Sequence, residues 1–337
     1  MPPIAMRKLE TLTIQNYKSI VDQTLRLESL NVFIGGNGSG KSNLVEVFRL
    51  LRETANHNLA KYTAVKGGAD ALLHFGRKKS PWMRFRLTFD GDGSYDVTLA
   101  GTAADELASN WTMRPALAVP QIEHDLQSYQ AYHFHDTSDS APMKGLNDVD
   151  DNRFLRPQAE NLAAFLYWLQ EKEPAHMANI RDTVRQVAPF FDRFLLAPSR
   201  LNPSKIRLEW QEKGTDTYFN ASSLSDGTLR FICLATLLLQ PELPSLVLLD
   251  EPELGLHPAA ITLLAELLAS AATRTQVIVA TQSVTLVNQF EPHQVWTVDR
   301  VDGASVFRHL ASEDMAGWLE DYALGELWEK NVLGARP

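Results

Sequence analysis

A chain of 337 residues with 45% hydrophobic side chains can bury a substantial core, and its length suits about two domains or one large α/β domain carrying an insertion. A net charge of −9 excludes a uniformly basic surface but leaves room for a local basic groove; the single cysteine, Cys233, excludes a disulfide framework and a cysteine-rich zinc site. The opening MPPIAMRKLE lacks the apolar stretch of a secretion signal, and no run approaches the roughly 20 apolar residues that span a bilayer, so a cytoplasmic protein is expected.

Leu9 to Gln15 and Leu30 to Ile34 read as strands. Glycines follow the second, then a helix from about Lys41 to Arg52. From Met83 the pattern alternates: Met83, Phe85, Leu87 and Phe89 share one face, Asp90-Gly91-Asp92-Gly93 supplies a turn, and Tyr95 to Leu99 returns as an antiparallel hairpin. Residues 101–195 are irregular around Pro115, Pro120, Pro142 and Asp148 to Asp151, then helical at Asn161 to Gln170 and Met177 to Val187. They read as an inserted, mostly helical lid. Ile206 to Trp210 and Thr217 to Phe219 suggest another hairpin, and Thr228 to Leu239 a helix closed by Pro241 and Pro244. Leu246 to Leu249 is a strand buried on both faces, Pro258 to Ala271 a helix, and Gln276 to Ala280 a further buried strand. Gln294 to Val298 and Ser305 to His309 close with a hairpin around Asp302-Gly303. Cys233 reads as a small apolar core residue.

Gly35-Gly36-Asn37-Gly38-Ser39-Gly40-Lys41-Ser42 fits the phosphate-loop pattern without a mismatch, between a strand and a helix. Glycines allow successive N–H groups to turn inward as an anion nest, and the helix start adds its dipole. Lys41 would reach the β and γ phosphates, and Ser42 would ligate Mg²⁺. Leu246 to Leu249 ends in Asp250 and Glu251. Asp250 is placed to hold Mg²⁺ and Glu251 to polarise an attacking water. No guanine-reading N-K-x-D motif appears, which favours ATP. Ser222-Ser223-Leu224-Ser225-Asp226-Gly227-Thr228 precedes a helix and reads either as an N-cap or as a second anion-binding surface.

Taken together these segments resemble the cassette-type (ABC-like) AAA ATPases of the RecF/SMC group. More closely they resemble stand-alone bacterial ATPases similar to RecF and to the ATPase domain of OLD-family nucleases. Asn16-Tyr17-Lys18-Ser19-Ile20 resembles the group's opening segment, Gly35 to Asn43 its phosphate loop, Leu-Ser-Asp-Gly-Thr (224–228) its signature, and Asp250 to Pro258 its acidic strand and D-loop. Thr281-Gln282-Ser283 stands at its switch position, where histidine is usual and glutamine cannot take a positive charge. No Q-loop glutamine is found, and Leu72 to Gly76 has no assigned role.

The resemblance implies an α/β fold of the ABC/RecF P-loop type. A mixed central sheet is flanked by helices, with an antiparallel β subdomain and the helical lid. Residues 1–100 and 196–337 would form the ATPase domain around the 101–195 insert. It also implies a homodimer sandwiching two ATP molecules, with Ser225 and Gly227 contacting the γ-phosphate bound by the other subunit. Nothing in 101–195 is explained by it.

Arg77-Lys78-Lys79 reads as a solvated loop or a contact to DNA phosphate. His133 and His135 read as structural residues or as an incomplete metal site, and Leu324 to Trp328 as a helix packed on its own domain. Two functional readings follow. One is an ATP-gated switch in DNA repair or phage defence, associated with DNA or controlling an effector. The other is a regulatory ATPase controlling a toxin or nuclease partner without touching DNA. The chain ends soon after its last strand, so a nuclease activity would come from a separate protein. A transporter subunit ranks last, because the signature and the long insert fit it poorly.

Overall fold

A computed structural model describes residues 7–91, 93–114, 119–310, 318 and 322–335. The opening MPPIAM, Asp92 of the hairpin turn and Pro115 lie outside the described residues. The chain forms two compact units: 1–131 with 244–251 and 272–337, and 132–243 with 252–271.

The first unit holds two sheets. The five-stranded antiparallel sheet runs β2 (Ile20–Arg26), β1 (Leu9–Tyr17), β4 (Trp82–Phe89), β5 (Gly93–Gly101), β6 (Leu107–Arg114). The expected alternation is present in β4, where Met83, Phe85, Leu87 and Phe89 are buried. The six-stranded sheet runs β16 (Ala304–His309), β15 (Val295–Val301), β3 (Leu30–Ile34), β14 (Gln276–Thr281), β13 (Leu246–Asp250), β7 (Gln130–Tyr132). β15, β3, β14 and β13 are parallel. Every residue of β3 and β14 is buried, as expected of central parallel strands covered on both faces. The one polar residue of β3, Asn31, satisfies itself by donating to Glu28 O at 2.8 Å and accepting from Glu28 N at 2.9 Å. Helix α1 (Lys41–Ala55) buries Leu44, Val45, Val47, Phe48, Leu50 and Leu51 in the same core as both sheets. Phe33 stacks on Trp296 at 5.7 Å and meets Phe307 edge-on at 6.0 Å, tying β3 to the closing hairpin.

Two short helices, α2 (Leu59–Val65) and α3 (Ala69–Leu72), follow α1, and α4 (Val119–Ser128) packs on α1. The compact units differ from the division expected at residue 101. β6 pairs with β5 from Ser94↔Arg114 to Gly101↔Leu107, so residues 101–131 are built into the first unit.

In the second unit, α5 (Leu162–Lys172) packs on α6 (Pro174–Val187), α6 on α7 (Asp226–Leu239), and α7 on α8 (Pro258–Ala271). The expected strand at Ile206 to Trp210 is broken. β10 (Lys205–Ile206) pairs with β8 (Asn147–Asp148), whereas β11 (Glu209–Glu212) pairs with β9 (Phe191–Leu195) and β12 (Tyr218–Asn220). The two halves serve different sheets, and the chain must turn between them. Cys233 is fully buried in α7 with its Sγ 3.7 Å from Met143 Sδ, and burial pushes its thiol pKa up, as befits an inert core residue.

Candidate functional site

The site gathers where β3, β14 and β13 end, at the carboxyl edge of the parallel strands, where ligands of open α/β sheets bind. β3 delivers the loop from Gly35, β13 delivers Asp250 and Glu251, and β14, lying between them, delivers Gln282.

The loop's glycines have separate reasons. At Gly35 a Cβ would overlap Val298 O, and at Gly40 it would overlap the Ser305 hydroxyl; Gly40 also sits at φ 117° as the N-cap of α1. At Gly38, φ is 75° and a Cβ would meet nothing within 4 Å, so the crest faces open space. No side chain caps α1, and helix geometry leaves its first-turn N–H groups without intrahelical carbonyls. The Ser39 hydroxyl is buried without a hydrogen-bond partner. An uncapped helix start behind an open glycine crest fits a phosphate chain. Lys41 is 5% exposed, and its Nζ donates to Gly35 O and, at 3.1 Å, to Gly36 O. The lysine thus lies along the loop it would serve. Asn43 donates through Nδ2 to Ser19 Oγ at 2.7 Å, and Ser42 is exposed at the second position of α1.

Glu251 has φ 45°, a left-handed conformation rare for a residue with a Cβ. Its N–H donates to Ala280 O at 2.7 Å, which carries the β13–β14 ladder one step past the strand. Its Oε1 accepts from Gln282 Nε2 at 2.5 Å, and the same Nε2 donates to Asn37 Oδ1 at 2.9 Å. One amide therefore joins the acidic strand end to the crest of the phosphate loop. Asp250 is half-buried at the end of β13. Ser42 and Asp250 offer a hydroxyl and a carboxylate, the hard oxygen donors that suit Mg²⁺.

Ser225 and Gly227 lie in the second unit. Ser225 is the N-cap of α7, accepting from Thr228 N at 3.2 Å, and its hydroxyl is 2.8 Å from that of Thr228. A Cβ on Gly227 would overlap Gly255 O, so packing alone already requires glycine there. Arg230, one turn along α7, donates to Leu254 O at 2.9 Å and His135 O at 2.8 Å.

Several residues that the sequence left without a role find one. Lys18, at φ 45°, lies in the two-residue turn between β1 and β2, and Asn16, at φ 58°, lies near the end of β1. His74 N donates to Asn16 O at 3.0 Å, and His74 Nδ1 lies 2.6 Å from Lys18 O; a carbonyl only accepts, so Nδ1 carries the proton. The Leu72 to Gly76 segment thus docks on that turn. Lys18 and Lys66 both pair with Glu46 of α1; burial pushes the Glu46 carboxyl up, and the two ammonium groups outweigh it and hold its pKa low. Arg77 is tied to Asp70 at 2.9 Å, leaving Lys78 and Lys79 as the loop's exposed charge. His133 and His135 lie past the end of β7 with ring centroids 5.9 Å apart, and among the described residues no cluster of three potential metal ligands forms. Arg300, which donates to Gly38 O at 3.3 Å, and Ser305 were missed, because isolated polar residues on a strand carry no sequence pattern.

A family model described as "AAA domain, putative AbiEii toxin, Type IV TA system" matches residues 106–288, and one described as "AAA ATPase domain" matches residues 7–110. No curated protein matches the chain by sequence. Among solved structures, an Smc head domain with an extended coiled coil bound to the C-terminal domain of ScpA, derived from Pyrococcus furiosus, is similar at TM-score 0.66 and 16% identity, covering 94% of this chain and 99% of that one. The Smc head domain with a coiled coil and joint from Pyrococcus yayanosii gives TM-score 0.61 at 12% identity, covering 94% and 99%. The SMC head domain from Thermotoga maritima gives 0.51 at 14%, covering 90% and 99%. At these identities the likeness is one of fold: the P-loop fold of the SMC head, as the sequence led us to expect.

Proposed function

The chain belongs to the AAA-domain family that its residues 106–288 match, an ATPase with the fold of SMC heads, and on that premise we propose that it hydrolyses ATP at the Gly35–Asn43 loop as a closed homodimer whose closure is the signal. The observation that carries this reading is the Gln282 amide, which donates at once to Glu251 and to Asn37.

In this reading the N–H groups of Gly38, Ser39 and Gly40 and the Lys41 ammonium cradle the phosphates, with Lys41 leaving the Gly35 and Gly36 carbonyls for the nucleotide. Ser42 and Asp250 would hold Mg²⁺, which when bound neutralises charge on the phosphate oxygens. Water attacks the γ-phosphorus, the bond to the bridging oxygen breaks, and Glu251 takes the water's proton. Gln282 holds the Glu251 carboxylate toward the loop crest. Ser225 and Gly227 of the other subunit would meet the γ-phosphate, so that each ATP completes a contact between chains.

Two lines support a protein partner. The matched family's description names a toxin of a type IV toxin–antitoxin system, and the Pyrococcus furiosus head was solved with a ScpA domain bound. They favour control of a separate toxin or nuclease over direct action on DNA; an ATP-dependent gel shift with duplex DNA would reverse that preference. We assign the protein to the cytoplasm, and no helix among the described residues is long and apolar enough to cross a membrane.

The test is Glu251→Gln. It should bind ATP as tightly as wild type, lose turnover by at least about 100-fold, and elute as a dimer in ATP and Mg²⁺. Normal turnover in this variant removes Glu251 as the base. Absence of turnover in the wild-type chain removes the reading altogether.

A further inference from the structure

Ser305, the second residue of β16, stands at the end of a buried hydroxyl chain. Asn43 Nδ2 donates to Ser19 Oγ at 2.7 Å, the Ser19 and Ser305 hydroxyls are 2.7 Å apart, and Ser305 Oγ donates to Ser39 O at 2.5 Å. Each hydroxyl has one proton. Ser39 O can only accept, so the Ser305 proton is committed to it. The bond between the hydroxyls must then run from Ser19 to Ser305. The chain has one direction: Asn43 amide, Ser19, Ser305, Ser39 carbonyl. Ser19 and Ser305 are 6% and 1% exposed, so water is poorly placed to substitute. Ser305 N also donates to Ser19 O at 2.7 Å, which fixes the two residues to each other.

The Ser39 carbonyl and the Gly40 N–H belong to one trans peptide and point to opposite sides of it. Drawing the carbonyl toward β16 turns the Gly40 N–H away from β16. We propose that Ser305 is a positioning residue for nucleotide binding, fixing the Ser39–Gly40 peptide so that the Gly40 N–H is presented to the phosphate chain of ATP. Gly40 is glycine partly for this reason, since a Cβ would occupy the place of the Ser305 hydroxyl. The inference rests on ATP binding at the Gly35–Asn43 loop.

The experiment measures the Kd of a fluorescent ATP analogue, kcat and KM for ATP, and nucleotide-free melting for the wild type, Ser305→Ala, Ser305→Cys, Ser19→Ala and the Ser19→Ala/Ser305→Ala pair. Ser305→Ala should raise Kd and KM about five- to tenfold while kcat at saturation stays within about twofold. Ser19→Ala should have a smaller effect, because Ser305 keeps its own donor. The pair should bind no worse than Ser305→Ala alone, because the hydroxyls act in series. Unchanged Kd in Ser305→Ala, with or without a lower melting temperature, overturns the proposal, and so does a fall confined to kcat. If Ser305→Ala does not fold, Ser305→Cys carries the test: its weaker donor should give a raised Kd, and wild-type affinity would overturn the idea. Failure of the wild-type chain to bind the analogue sinks the ATPase reading instead.

Discussion

Replacing Gln282 by alanine removes both bonds of the amide that joins Glu251 to Asn37. The bond to Glu251, at 2.5 Å, has an ionised acceptor, a class worth about 1.5–3 kcal/mol. The bond to Asn37, at 2.9 Å, is neutral and worth about 0.5–1.5 kcal/mol. Both Gln282 and Glu251 are only half-buried, so solvent takes part of the first figure and its lower end applies. At 1.36 kcal/mol per tenfold, losing about 1.5 kcal/mol of Glu251 positioning lowers kcat roughly tenfold, and the upper end for that one bond, about 3 kcal/mol, would reach about 150-fold. KM should move by less than about threefold, because Lys41 and the loop N–H groups are untouched. Steady-state phosphate release over a range of ATP concentrations separates the two parameters. Asn37→Ala, which removes only the neutral bond, should cost less, and Gln282→His, which keeps a donor, should retain more activity than Gln282→Ala. A folded Gln282→Ala protein with kcat within about twofold of wild type would refute the idea that this amide organises the site.

Lys41→Ala should abolish ATP binding or turnover, because this buried ammonium is the cation laid along the loop; turnover within about twofold of wild type would sink the assignment. Ser225→Arg should leave ATP binding intact and stop hydrolysis. Loss of the α7 cap costs about 1 kcal/mol, so only a small drop in melting temperature should accompany it. Mixing Ser225→Arg with Lys41→Ala should restore part of the activity through one intact shared site, and a fully active Ser225→Arg protein would reduce Ser225 to a helix cap. Asp125 on α4 is fully buried, and burial raises its pKa against the hydrogen bond from Gln121 Nε2 at 3.0 Å. A raised folded pKa means that the native state holds the proton longer than the unfolded chain. The resulting stabilisation is complete below the unfolded pKa of about 4 and is lost as pH rises through the folded value. Asp125→Asn should therefore gain melting temperature relative to wild type as pH rises across that window, and a constant difference between the two would falsify the assignment.

The phosphate loop was legible because its glycines report directly on backbone angles, as Gly38 and Gly40 illustrate at φ 75° and 117°. β3 and β13 were legible because burial on both faces leaves mostly apolar side chains, with Asn31 of β3 and the terminal Asp250 of β13 as the exceptions. Other parts were hidden for physical reasons. β6 (Leu-Ala-Ser-Asn-Trp-Thr-Met-Arg) lacks the alternation that marked β4, and β5 assigns it its place through backbone bonds that any sequence can make. Ile20–Arg26 carries four polar residues, Asp22, Gln23, Thr24 and Arg26, and the turn that pairs it with β1 runs through the left-handed Lys18. Gln282 was legible only as a position within a resemblance. Its bridge to Asn37 and Glu251 depends on three strands meeting from positions up to 245 residues apart. Ser305 could not be found by any local pattern.

Glu251 occupies a backbone conformation that suits glycine or asparagine better, and the fold carries a cost on the order of 1 kcal/mol for keeping a glutamate there. A library of variants sorted only by heat resistance would therefore be drawn toward this codon, with asparagine among the winners. With Glu251 as the proposed base, those winners would fold well and turn over nothing. In that role, thermal robustness and catalytic competence would pull in opposite directions at one residue, and a screen that reads only the first would enrich for inert molecules.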